Sequence, residues 1–174
     1  YSAGDKILFK AGGVYIGSFC ASGNGTEENP ITVSSYGDIS AEGRPLVSTL
    51  KDETVFSIRN VSNWVIENLE ITAPEGKGFT ITADGENNIM KNITVRNCSV
   101  HNVWYHDTPS YRGDYAAFYI YSQGLGTRID NLTLSDISIY DCAYGVVVLG
   151  NTIEWSPDIY ISPEESYNQN FLFE

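Results

Sequence analysis

Basic residues are scarce in this chain: 10 Lys and Arg stand against 22 Asp and Glu, a formal net charge of −12 at pH 7. Such a surface repels phosphate backbones and anionic headgroups at long range, which argues against nucleic acid and membrane surfaces as partners. It also opposes a strongly anionic polysaccharide, unless a local basic patch or a bound cation such as Ca2+ reverses the field in one groove. Cysteine is rarer still. Cys20, Cys98 and Cys142 form no CxxC pair and have no histidine at ligand spacing, so no zinc site is expected. Their odd number excludes a complete internal disulfide framework, and Cys98 is expected to serve as a small buried apolar side chain. No stretch approaches the ~20 apolar residues needed to cross a bilayer, so membrane insertion is not expected. Residues 1–10 lack the regions of a signal peptide; a secretory leader would lie outside the 174 residues. GxGxxG, GxxxxGK followed by Ser or Thr, HExxH and GxSxG are all missing, which removes the common nucleotide, metalloprotease and serine-hydrolase readings. Helical periodicity is nowhere sustained.

What is present is 42% hydrophobic and 13% aromatic residues over 174 positions, enough for one domain with a continuous core. The apolar residues repeat. Asn63-Trp-Val-Ile-Glu-Asn-Leu-Glu-Ile71 aligns with Asn92-Ile-Thr-Val-Arg-Asn-Cys-Ser-Val100 and with Asn131-Leu-Thr-Leu-Ser-Asp-Ile-Ser-Ile139, and Asn170-Phe-Leu-Phe-Glu174 begins a further copy. The first Asn recurs at 63, 92, 131 and 170, and a second polar column holds Asn68, Asn97 and Asp136. Around them runs period-2 alternation, broken once at the second polar column. Each copy therefore reads as two short strands joined by a tight bend, where Asn or Asp tolerates a left-handed backbone. A third strand follows at 79–82, 118–121 and 146–149, with 56–59 as an earlier copy. Residues 84–88 read as a turn. Stacking of like positions in successive copies predicts an all-β fold, a right-handed parallel β-helix or solenoid with three short strands per coil.

The first 50 residues follow the plan less regularly, with short strands at 7–9, 15–19, 31–36 and 46–47 between Gly, Asn and Pro turns. Gly4-Asp-Lys-Ile-Leu-Phe-Lys-Ala-Gly-Gly-Val-Tyr15, Ser22-Gly23, Glu28-Asn-Pro-Ile-Thr-Val33 and Gly43-Arg-Pro-Leu-Val47 resemble the entry coils of secreted bacterial parallel β-helix proteins, which include polysaccharide lyases and some glycoside hydrolases. The resemblance implies a single domain over 1–174, with irregular entry coils at 1–50 and regular coils at 51–174. It implies a secreted or cell-surface location and substrate lying along the third sheet. The chain ends one residue before an expected bend Asn, so it is expected to be a truncated fragment, with more protein and further catalytic residues beyond residue 174.

Because the inward columns are apolar, chemistry is expected on outward side chains and loops. The third strand should point Thr80 and Thr82, Tyr119 and Tyr121, and Val147 and Leu149 outward. The connections into it span 8 positions from Ile71 to Phe79 and 7 from Ile139 to Val146, but 18 from Val100 to Phe118. This long loop, 101–117, holds both histidines, and solenoid insertions commonly build the binding face. Trp104, Tyr105, Tyr111, Tyr119 and Tyr121 offer ring faces for stacking on sugars. His106, Asp107, Arg112 and Asp114 supply proton transfer, carboxylates and a cation, and are the expected catalytic residues. A hydrolase needs two carboxylates ~5–9 Å apart. A lyase needs one base and a neutralising cation. His101 is expected to anchor the base of the loop; Glu67, Arg96 and Ser135, and Glu70, Ser99 and Ser138, read as solvated ladders. Five Asn-x-Ser/Thr triplets occur, three of them by-products of the Asn columns.

The reading that results is an extracellular polysaccharide-processing protein, a lyase or glycoside hydrolase, with an oligosaccharide or polysaccharide as partner. The alternative is a non-catalytic glycan-binding or adhesin-like surface solenoid. Convergence of ionisable groups on one groove discriminates the two.

Overall fold

A computed structural model describes residues 1–104, 115–149 and 169–174. The described residues are all-β apart from a single four-residue helix. In order, the elements are β1 (Lys6–Lys10), β2 (Val14–Ile16), β3 (Phe19–Cys20), β4 (Ile31–Tyr36), α1 (Ile39–Glu42), β5 (Leu46–Ser48) and β6 (Thr54–Arg59). They continue with β7 (Trp64–Glu67), β8 (Glu70–Ala73), β9 (Lys77–Asp84), β10 (Ile89–Val103), β11 (Ala116–Gln123), β12 (Arg128–Cys142), β13 (Tyr144–Leu149) and β14 (Gln169–Phe173). The short helix is capped by Asp38, whose carboxylate accepts from the Ser40 and Ala41 amides.

Every described pairing is parallel. One sheet runs β1-β4-β7-β10, continues through β8, β5 and β2, and adds β12 and β14; the other runs β13-β11-β9-β6-β3. The first sheet is bent rather than flat, because β10 pairs β7 with residues before Asn97 and β8 with residues after it. The register follows the sequence alignment: Val95 pairs with Ile66 and Leu134, and Leu134 with Phe173. Ile66 and Val95 are fully buried and Leu134 is 4% exposed. Phe173 keeps its place in the column yet is 50% exposed, since β14 pairs only with β12 among the described strands. Val146 and Val148, 41% and 43% exposed, are uncovered for the same reason at β13.

The second sheet is held by a row of stacked phenylalanines. Ring centroids are 5.3 Å apart from Phe19 to Phe56, 5.1 Å from Phe56 to Phe79 and 4.7 Å from Phe79 to Phe118, the last pair tilted by only 3°. Trp64 faces the same core, its indole N–H satisfied by the Gly23 carbonyl at 3.0 Å. Cys98 is buried, and burial pushes its thiol up to about 12.

The bend column has positive φ, 62° at Asn68, 49° at Asn97 and 52° at Asp136. The first Asn column is equally left-handed, 61°, 54°, 62° and 56° at Asn63, Asn92, Asn131 and Asn170. Two corners, five positions apart, therefore bracket each first strand. The side chains repay the conformation by bonding from copy to copy: the Asn92 amide donates to Asn63 (2.8 Å), Asn131 to Asn92 (2.6 Å) and Asn97 to Asn68 (2.7 Å). Asn170 departs from the column and donates to Asp130. The expected strand at 15–19 is interrupted by Gly17, whose φ of 146° divides β2 from β3.

Candidate functional site

The outer face of the second sheet is built from alternate residues of β6, β9, β11 and β13. Register places Ser57, Thr80, Tyr119 and Val147 in one column and Arg59, Thr82, Tyr121 and Leu149 in the next, with Asp84 beside Gln123 beyond them. Tyr119 and Tyr121 are half-buried, their ring centroids 5.2 Å apart and tilted by 54°. Thr82 departs from expectation: it is 3% exposed, because its short side chain lies between the longer Arg59 and Tyr121 on the strands either side. The Thr80 hydroxyl is buried and has no hydrogen-bond partner among the described residues.

Arg59 and Asp84 form an ion pair on this face. The Asn60 amide also donates to Asp84 at 2.5 Å, and the Asp84 backbone N–H donates back to the Asn60 side-chain oxygen at 2.8 Å. The hydrogen bond from Arg59 holds the Asp84 carboxyl below the usual carboxylate range against the opposing effect of burial, and the Asn60 bond adds to it. Arg59 is raised in turn, by the same hydrogen bond first. Arg59 stands in the third-strand column with Thr82, Tyr121 and Leu149, but the residue type changes from copy to copy and Asp84 lies beyond the aligned positions, so the alignment gave no signal for their pairing.

The long connection leaves β10 after Val103 and returns at β11, bordering the N-terminal end of the Tyr119 strand. Both of its ends are pinned. The Trp104 amide donates to the Ala73 carbonyl at 3.3 Å, while the indole is 41% exposed. Tyr115, at the other end, is 2% exposed; its hydroxyl donates to Asp52, and the Lys77 ammonium lies 5.0 Å over its ring. It anchors the returning chain to the turn before β6 and to the start of β9. Tyr105, His106, Asp107, Tyr111, Arg112 and Asp114 lie outside the described residues.

His101 donates through Nε2–H to the Glu70 carboxylate at 2.8 Å and stacks on Tyr140 at 4.7 Å and 5°. It fixes the base of the long connection, and Glu70 is its partner rather than a member of a free solvated ladder. Glu67 pairs with Arg96 at 2.7 Å and accepts from Ser34 at 3.1 Å. Among the described residues no three His, Cys, Asp or Glu side chains cluster to hold a metal. No described helix is long and apolar enough to cross a membrane. A concavity of about 370 Å³ lies elsewhere, on the outer face of β7, β10 and β12, lined by Thr26, Glu27, Pro30, Val65, Thr94 and the Asn63-Asn92-Asn131 ladder.

No family model and no curated protein matches this chain in sequence. Solved structures do match in shape. The chain is similar to the GH136 lacto-N-biosidase from Eubacterium ramulus, with a TM-score of 0.70 at 16% identity, covering 99% of this chain and 35% of that one. It is also similar to the alginate lyase from Paenibacillus sp. str. FPU-7, with a TM-score of 0.52 at 16% identity, covering 98% of this chain and 60% of that one. The chain thus spans about a third and three fifths of the lengths of these two structures. At this identity the likeness is one of fold: a parallel all-β frame shared by two enzymes named for action on carbohydrate.

Proposed function

We propose that the chain is a right-handed parallel β-helix with three strands per coil that forms the glycan-processing face of an extracellular carbohydrate-active protein, and that its chemistry is glycoside hydrolysis. One observation carries the reading. Tyr119 and Tyr121 form an aromatic platform on the outer face of the second sheet, between the Arg59–Asp84 pair and the pinned ends of the 101–117 connection. A platform of ring faces beside charged hydrogen-bonding groups is what sugar recognition requires: apolar area for the ring and directional partners for hydroxyls. The two fold neighbours named for acting on carbohydrate support the same reading.

In this proposal Asp107 and Asp114, the two carboxylates of the 101–117 connection, serve as the acid and the base or nucleophile of hydrolysis. His106 and Arg112 position the leaving oxygen and neighbouring hydroxyls, and Trp104, Tyr105 and Tyr111 extend the platform. Protonation of the departing oxygen and attack at the anomeric carbon each need a carboxyl group, the two at a set separation.

The test is an assay of the chain on neutral and uronate-containing glycans, following both new reducing ends and the ultraviolet absorbance of an unsaturated product. Reducing ends without that absorbance are expected. Asp107→Asn and Asp114→Asn should each lower kcat by about 10²–10⁴-fold, and Tyr121→Ala should chiefly raise KM, since stacking acts already in the ground state. An unsaturated product would make the protein a lyase. Binding without any product would make it a glycan-binding solenoid, and unchanged kinetics in all three variants would move the site away from this connection.

A further inference from the structure

The charge pattern of the second sheet's outer face speaks to which sugars it can accept. Among the described residues its strands carry two cations, Arg59 and Lys77. Lys77 lies over the Tyr115 ring, and Arg59 is bonded to Asp84. Neither is left as a bare positive charge for an anionic ligand. The Asp84 side chain is 22% exposed and that of Arg59 63% exposed, so both still reach solvent beside Tyr121 and Gln123.

We propose that Arg59 and Asp84 act together as a hydroxyl clamp that selects uncharged sugars and excludes uronates. This rests on the reading of that face as a glycan site. Arg59 uses one of its terminal nitrogens on Asp84, leaving N–H donors on its exposed edge. Asp84 receives Arg59 on one carboxylate oxygen and Asn60 on the other, and each oxygen retains a lone pair. A sugar hydroxyl both donates and accepts, so it satisfies Asp84 and Arg59 at once. A carboxylate has no proton to donate and meets the Asp84 charge, which its environment keeps ionised throughout the neutral range. Uronate recognition needs the reverse arrangement, a guanidinium or cation free to form paired bonds. The overall net charge of −12 acts in the same direction at longer range.

Isothermal titration calorimetry of the 174-residue chain tests the clamp, with short neutral oligosaccharides of glucose, galactose and N-acetylhexosamine type against oligouronates of matched length. The unsubstituted chain should bind at least one neutral probe and no uronate. Asp84→Asn should weaken neutral binding about tenfold and at the same time confer measurable uronate binding, because Arg59 is then released from its partner. Arg59→Gln, at an exposed position, should weaken neutral binding without that gain, which keeps the test decisive if Asp84→Asn loses its fold by circular dichroism. A mere structural role for the pair would not exchange one ligand class for another. Equal binding of uronate and neutral probes by the unsubstituted chain, or unaltered selectivity in the variants, overturns the clamp and leaves the glycan site standing. Binding of no probe overturns both.

Discussion

Phe79 is the most informative side chain to remove. It is fully buried and stands between Phe56 and Phe118, with centroid distances of 5.1 and 4.7 Å. Phe79→Ala removes a phenyl group from a close-packed row, and substitutions of that kind cost about 3–5 kcal/mol, the lost ring–ring contacts included. Phe173 serves as the internal control. It is an inward phenylalanine of the other sheet, at the end of the Ile66–Val95–Leu134 column, but is 50% exposed and has a strand on one side only among the described residues. Half the burial and half the neighbours predict about 1–2 kcal/mol for Phe173→Ala. In a fold whose stability is a sum of nearest-neighbour interfaces, a central substitution weakens two interfaces and a terminal one weakens one. For a domain of this size the difference should appear as Phe79→Ala melting roughly 6–20 °C below the parent and Phe173→Ala roughly 2–8 °C below it. Urea unfolding followed by far-ultraviolet circular dichroism gives the free energies directly. Equal losses for the two variants would refute the argument, since they would show that stacking along the ring row adds nothing to burial at a free edge.

Other expectations can be checked with the same material. Gly124 has φ 117°, and a Cβ there would meet the Gly85 carbonyl oxygen at 1.7 Å, so Gly124→Ala should cost at least ~2 kcal/mol in urea unfolding, whereas Gly43→Ala, strained in φ but open around its Cβ position, should cost less. Asn97→Ala loses the bonds to Asn68 and from Arg44 as well as a residue suited to φ 49°, and should cost on the order of 1–2 kcal/mol by the same measurement. Because the Asp84 carboxyl is held below its usual 3.8, its stabilising contribution is complete above that value and is lost as pH falls through the lower folded value. Asp84→Asn should therefore flatten the acid limb of a melting-temperature profile below about pH 4, and an unchanged limb would dismiss the pairing. Cys98, raised to about 12 by burial, should resist alkylation at pH 8 until the chain is unfolded, while exposed Cys20 reacts at once; peptide mass mapping distinguishes them.

The parts of this fold that could be read from the sequence are those in which one residue type recurs at one place. Asn68, Asn97 and Asp136 announce a corner because a left-handed backbone is tolerated by few side chains, and Phe56, Phe79 and Phe118 announce a shared inward column because each fills the same cross-section. The first Asn column was visible as a repeat, yet its conformation was not, since an Asn before a strand has ordinary uses as well. Thr82 was misplaced for another reason: alternation tells which way a side chain points, but not whether its neighbours are long enough to cover it. The residue types at Arg59 and Asp84, 25 positions apart, and at Asp52 and Tyr115, 63 apart, do not recur from copy to copy, so only the folded chain shows that they pair. The candidate site was legible as a place, an overlong connection beside two tyrosines, but its electrostatics were not.

The paired left-handed corners have a consequence for how such a chain can change. The distance from first to second corner residue is the same in each copy, five positions at 63–68, 92–97 and 131–136, while the spacing from one first corner to the next is 29, then 39, then 39. All the variation in length falls outside that strut. Loss or gain of a single residue inside it would rotate every inward side chain to solvent and misalign the asparagine ladder, whereas ten residues added between Val100 and Phe118 leave the pairing of β11 with β9 intact. One corner of the molecule thus behaves as a mandrel, and the others as open margins in which new recognition loops can be grafted, lengthened or exchanged without rewriting the frame that carries them.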